Sequence, residues 1–182
     1  MLTQGTECLR KYSYLVTKMK FPVSTIPTFV SISKMIVHLI LMVVVVIIFA
    51  LFGYTPNLYM LQAFFYMILM FAFFTVWALF SSLIAAMSKD FLNLVKSFIT
   101  AFFWLSGILW DANAITIPWL RRFLMLNPIT FLVNGYRNCF IDQTWFWEQP
   151  KRLIYFAISF TIMLVLAMWA YRKLRKEVAD VL

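Results

Sequence analysis

The chain has 182 residues, 64% of them hydrophobic and only 13% charged, with a mean hydropathy of +0.87, whereas a soluble domain runs at about 45–50% apolar and about 25% charged. Sixteen Lys and Arg against seven Asp and Glu leave a formal net charge of +9, but the apolar stretches are too long for a soluble core, so the basic excess bears on orientation in a membrane and not on nucleic acid. Two cysteines and a single histidine exclude a disulfide framework, a zinc cluster and any multi-histidine metal site.

Residues 1–29 are comparatively polar and basic. Their first part lacks the short apolar region and small-residue cleavage site of a signal peptide. Between Lys34 and Lys89 there is no Asp, Glu, Lys or Arg, a stretch that at about 1.5 Å per helical residue crosses a bilayer about twice. The return is read at Gly53-Tyr54-Thr55-Pro56-Asn57, where proline removes a donor and Gly and Asn tolerate turn geometry. This predicts spans at 30–52 and 58–87. Fourteen Leu, Ile, Val and Phe between Ile36 and Phe52 favour insertion of the first by roughly −6 kcal/mol. A third span is predicted at 92–110, with Lys96 close enough to its start to snorkel, and a fourth at 153–171, followed by a basic tail over 172–182.

The connection over 111–152 is longer than a turn requires, and long ordered loops are usually functional. Ile117 to Leu126 reads as a short helix with Thr116 as N-cap and Pro118 in its first turn. Asn127-Pro128 breaks it, and a second helix follows with Ile129, Leu132, Val133, Tyr136 and Phe140 on one face and Asn134 and Arg137 elsewhere. Two readings stand for the pair: interfacial helices that only anchor, or a functional element dipping into the leaflet. The expected fold is therefore an all-α integral membrane protein, with four transmembrane helices and two short re-entrant or interfacial helices in the last external loop. Eleven Lys and Arg fall on the side of the termini and five on the other, which predicts both termini in the cytoplasm. Cys8 is then cytoplasmic and Cys139 external, too far apart to bridge within one molecule.

With four glycines, the chain has neither a G-x-x-x-x-G-K-[ST] phosphate loop nor a G-x-G-x-x-G turn. It is expected to be no enzyme, with no catalytic residue, no metal and no cofactor of its own. No acidic residue lies inside a predicted span, which disfavours ion-coupled transport and intramembrane proteolysis. His38, alone in the first span, reads as a ring satisfied by a neighbouring helix rather than a proton relay. Tyr54, Tyr59, Trp110, Trp119, Trp145 and Trp147 cluster at the predicted external boundary, as an interfacial belt or as flat faces for pyranose rings.

Five strings in order, LVTKMKFPVSTIP, SKDF, LNPITFLVNGYRN, WFWEQP and KLRKEVADVL, together resemble the permease subunits of ATP-binding-cassette exporters of teichoic acid and related cell-envelope polysaccharides, the type-two membrane-domain class. The resemblance implies a six-span protomer working as a homodimer in the cytoplasmic membrane of a bacterium, with ATP and magnesium held by separate ATPase subunits and a lipid-linked polymer as substrate. It makes Lys18, Met19, Phe21, Pro22 and Pro27 part of a segment coupling to the ATPase, and Asn127, Pro128, Tyr136 and Arg137 part of an external gate. Family members resemble the chain only after an N-terminal amphipathic helix and two further spans, so the chain reads as lacking them. A drug or lipid exporter of the same fold, and a truncated four-span structural protein that transports nothing, are the alternatives.

Overall fold

The computed structural model describes residues 1–19, 21–54, 57–111 and 115–181, and among these every regular element is helical. Thr55 and Pro56 of the predicted turn, and Lys20 of the basic segment, lie outside the described residues. Among the described residues eight α-helices follow one another: α1 Leu2–Lys11, α2 Ser13–Thr17, α3 Thr25–Leu51, α4 Gln62–Met87, α5 Lys89–Leu105, α6 Pro118–Met125, α7 Pro128–Arg137 and α8 Pro150–Val181. A 3-10 turn, Leu58–Leu61, leads into α4.

Among the described residues, three helical stretches are long and apolar enough to cross a membrane: Thr25–Leu51, Leu58–Met87 and Pro150–Arg175. Helix α3 begins five residues ahead of the predicted span because Pro27 falls in its first turn, where a missing N–H leaves no hydrogen bond unmade. Helix α5 differs more. It starts at Lys89 and stops at Leu105, where the sequence reading carries the span to Trp110. The stop is backbone chemistry: Ser106 N–H still donates to the Phe102 carbonyl at 2.9 Å, but Gly107 takes φ +66°, a left-handed step that ends a helix and suits glycine. At 17 residues α5 is about 25 Å long against about 30 Å of hydrocarbon. Helix α8 runs on through the basic tail to Val181. Lys173 lies over the Trp169 ring at 5.2 Å and Arg175 over Tyr171 at 5.7 Å, so the basic residues support the helix across one turn.

The contacts divide the chain into two units, the first comprising Met1–Met35, Phe71–Ala101 and Thr161–Leu182, the second Ile36–Met70 and Phe102–Phe160. The first unit has a core of Cys8, Leu9 and Val16 from the N-terminal helices, Val23, Ile26 and Val30 around the start of α3, Leu83 and Ala86 of α4, and Ala170 and Val178 of α8. Both ends of the chain therefore meet in one core. Arg10 donates to the carbonyls of Ala85 and, at 3.0 Å, Ala86, filling two of the acceptors that the last turn of α4 leaves open. Thr6 Oγ1 donates to Ser81 Oγ at 2.9 Å, and Glu7 pairs with Lys96 at 3.4 Å.

The second unit is built around α7. Phe131 stacks on Phe156 with centroids 4.9 Å apart and packs against Tyr66 at 5.6 Å. Gly135 is what admits the Tyr66 ring: a Cβ there would stand 2.2 Å from Tyr66 Cε1, inside any real contact.

Candidate functional site

In the first unit the chain between α2 and α3 turns sharply. Phe21 N–H donates to the Leu15 carbonyl and Thr25 N–H to the Pro22 carbonyl, both at 3.0 Å, which throws Lys18, Met19, Phe21 and Pro22 outward while Val23 and Ile26 turn into the core. Met19 is 65% and Phe21 41% exposed. Pro27 does not join them; it is buried in the first turn of α3. The turn is thus an apolar knob beside a cation, held by the core behind it. Cys8, in the same unit, is buried, and that burial pushes its thiol up to about 12 in spite of a hydrogen bond from Ser82.

The second unit assembles the external-loop residues. Helix α6 starts with Pro118 at its first position and Ile117, not Thr116, as N-cap, with no side-chain cap bond. Asn127 is a true cap for α7: its Oδ1 accepts from Ile129 N–H at 3.0 Å, Pro128 takes the first helical position, and Asn127 Nδ2 donates to Ser106 Oγ at 3.3 Å. The break read from Asn-Pro is therefore an N-cap and first-turn pair, tied to the end of α5.

Helix α7 is not the amphipathic surface helix that the spacing predicts. Thr130, Phe131, Leu132, Asn134 and Gly135 are all buried, so the polar side faces protein as well. Thr130 Oγ1 and Asn134 Oδ1, four residues apart on one face, are buried without a hydrogen-bond partner. Tyr136 Oη lies 3.0 Å from His38 Nε2, their rings meeting edge to face at 5.7 Å. Burial, reinforced by the nearby Cys139, raises the Tyr136 phenol above its ordinary value, so it keeps its proton, and the imidazole tautomer sets which of the two groups donates. This is the partner that the lone histidine requires. Arg137 Nη2 donates to the Ile108 carbonyl at 3.2 Å, and Nη1 stands 3.9 Å from Asp111 Oδ1, an ion pair too long for a hydrogen bond. Cys139 Sγ donates to the Gly135 carbonyl at 3.0 Å and is buried.

After α7 comes a wide π turn, Asn138–Asp142, and Gln143 takes φ +50°. The WFWEQP string then folds on itself. Trp145 and Trp147 stack at 4.5 Å, Tyr59 meets Trp145 at 4.9 Å, and Glu148 Oε1 accepts from Trp145 N–H at 3.1 Å. The residue that holds this string is Gln62, which sequence reading passes over: its Nε2 donates to the Thr144 carbonyl at 2.7 Å and its Oε1 accepts from Phe146 N–H at 3.1 Å. The signal available was a lone amide at the start of an apolar span, where only a hydrogen-bonded role sustains it.

Residues 2–141 match the family model described as ABC-2 type transporter. The chain belongs to that family. No match is found among curated proteins. As an ABC-2 membrane domain the chain is a membrane-embedded permease component of an ABC exporter, and in such systems a separate ATPase subunit pairs with it and hydrolyses ATP. The match covers α1 to α7 and ends at Ile141, ahead of WFWEQP and α8.

Proposed function

We propose that this ABC-2 permease moves a lipid-linked cell-envelope polysaccharide or teichoic acid outward across a bacterial plasma membrane, as a homodimer driven by two ATPase subunits that hold the ATP and magnesium. The observation that carries the reading is the exposed turn Lys18-Met19, Phe21 and Pro22. Two apolar side chains and a fixed proline, backed by a packed core and flanked by a cation, are suited to a groove on a protein partner rather than to water. Orientation with both termini in the cytoplasm is supported by the basic-residue asymmetry and by the shared core of α1 and the end of α8, since both ends must then lie on one side. Four crossings follow if α5 tilts little or the bilayer thins around it. The apolar window of α3 is 0% buried within the chain, which leaves a long face for lipid or for a second copy.

The gate role of Asn127, Pro128, Tyr136 and Arg137 is supported by buried polar atoms of α7 that have no hydrogen-bond partner, Thr130 Oγ1 and Asn134 Oδ1 among them. Each costs about 1–3 kcal/mol where it stands, so a second arrangement that pairs them is accessible at little cost. The polymer is supported by WFWEQP and KLRKEVADVL, which resemble the polysaccharide branch, and by the indole stack that the first string forms. With its ATPase subunit, the Phe21→Ala permease should bind the ATPase about tenfold or more weakly, a lost interface anchor being worth about 1–3 kcal/mol. Unchanged association, ATP turnover and export would remove the coupling role. Inside-out vesicles loaded from outside with lipid-linked polymer, a drug or phospholipid separate the substrates; uptake of drug or phospholipid without polymer would replace the polymer reading.

A further inference from the structure

Three arginines converge on one cavity in the second unit. Arg121 and Arg122 come from α6 and Arg152 from the first turn of α8, and with Thr116, Met125 and Tyr155 they line a space of about 620 Å³. None of its described lining residues is acidic. Asp111 bears on Arg152 and also pairs with Arg137. Arg121 and Arg152 repel one another, and the 32-residue α8 adds the positive end of its dipole beside Arg152. Such a concentration is relieved by an anion that several guanidiniums can grip at once, and a phosphate fits their planar forks.

The surroundings say which kind of phosphate. Helix α6 exposes Trp119 at 70% and Phe123 at 62% on the same two turns that carry Arg121 and Arg122. Large apolar rings and arginines together place a short helix at the level of lipid headgroups, rings in the acyl boundary and cations among the phosphates. Met125 and Tyr155 give the cavity an apolar wall beside the guanidiniums. We propose that the cavity is a binding site for the phosphate of an anionic membrane lipid, with Arg121, Arg122 and Arg152 on the phosphate and Met125 and Tyr155 against the glycerol and first methylenes. The site does not depend on which substrate is exported.

The test uses the purified full chain in mild detergent, with short-chain phosphatidylglycerol, short-chain phosphatidylcholine and inorganic phosphate as separate probes, read by native mass spectrometry and by thermal shift. Phosphatidylglycerol should bind and raise the unfolding temperature. The double variant Arg121→Gln/Arg122→Gln and the single variant Arg152→Gln should each weaken it by about tenfold or more, the loss of one charge-assisted contact. Lys151→Gln, which removes a neighbouring cation that does not line the cavity, should leave binding unchanged. Arg152→Lys keeps the charge without the fork and should give an intermediate affinity, which reads the site even if a glutamine variant fails to fold. Equal affinity in the parent and the Arg variants, or equal binding of phosphatidylcholine, would overturn the site. Inorganic phosphate binding as tightly as the lipid would overturn the lipid assignment and leave a soluble anion as the ligand.

Discussion

Helices α6 and α7 are consecutive, of eight and ten residues, and both start on proline, yet one lies open and the other is enclosed. Helix α6 buries only Leu124 and exposes Trp119 and Phe123. Helix α7 buries five of its ten residues, among them a threonine, an asparagine and a glycine. Apolar content does not explain the difference, because lipid is as good a solvent for leucine or tryptophan as another helix is. Two local features do. Asn127 fixes the start of α7 and ties it to Ser106, whereas Ile117 gives α6 no side-chain cap. Gly135 lets a neighbouring aromatic ring approach the α7 backbone, and α6 has no small residue at all. In a membrane-embedded chain, close packing comes from small residues and polar ties more than from hydrophobicity.

The comparison can be broken most sharply at Gly135. An added Cβ would lie 2.2 Å from Cε1 and 2.3 Å from Cδ1 of Tyr66, and that ring is hemmed by Phe65 at 5.4 Å and Phe131 at 5.6 Å, so it cannot swing aside. Gly135→Ala should destabilise the purified chain by about 1–3 kcal/mol through overpacking, read as a lower unfolding temperature. Phe123→Ala on α6 should stay within about 0.5 kcal/mol, as a surface change does. Tyr66→Leu in the Gly135→Ala background should recover part of the loss by making room. Equal shifts for Gly135→Ala and Phe123→Ala would mean that α7 is no better packed than α6.

A smaller effect should come from the caps. Asn127→Ala removes the acceptor for Ile129 N–H and the donor to Ser106, at about 1 kcal/mol for the cap. Asn127→Asp keeps the acceptor and loses only the donor, so it should recover most of that. Ile117→Ala, at the equivalent position of α6, should change the unfolding temperature little. A cost at Ile117 as large as at Asn127 would show that the two helix starts are alike.

Much of this architecture is legible in the sequence, and the reason is physical. The parts of the uncharged stretch from Met35 to Ser88 that cross lipid must be helical, because only helices satisfy their own backbone there. Asn127-Pro128 has one economical use, as a cap and first turn. A lone His38 implies a polar partner, though its identity, Tyr136, depends on tertiary approach and is invisible in local pattern. The burial of α7 escaped the periodicity because both of its faces are enclosed, and a stripe is a signal only when one face is not. Gly135 was the available clue, since a glycine inside a helix costs about 1 kcal/mol relative to alanine and usually marks a close approach. The end of α5 is not legible in hydropathy, because Ile108, Leu109 and Trp110 prolong the apolar run past a glycine whose φ ends the helix. Both cysteines are buried, at 2% for Cys8 and 0% for Cys139, so neither reports the side of the membrane through labelling; cysteines introduced at the exposed positions Asp142 and Lys173 serve instead.

The smallest stability effect, and the most informative for the gate, belongs to Arg137. The arginines of α6 converge on a cavity, whereas Arg137 of α7 reaches two points on the chain just beyond α5, a hydrogen bond to the Ile108 carbonyl at 3.2 Å and an ion pair with the Asp111 carboxylate at 3.9 Å. Two nitrogens of one planar fork serve these two points, and a lysine ammonium, a single centre on a flexible stem, reaches only one of them at a time. Because the Asp111 side chain is 48% exposed, solvent screens the pair, and Arg137→Lys should cost less than about 1 kcal/mol in stability. Its effect on export should be larger than that figure implies, if α7 moves and Arg137 sets where it stops. Lys151→Gln, an exposed cation on the next helix, is the matched control and should export normally at equal membrane expression. Export assayed with the ATPase subunit decides between the roles: a defect in Arg137→Lys with normal unfolding temperature points to positioning of α7, and export equal to that of Lys151→Gln would reduce Arg137 to an anchor of the kind α6 already carries.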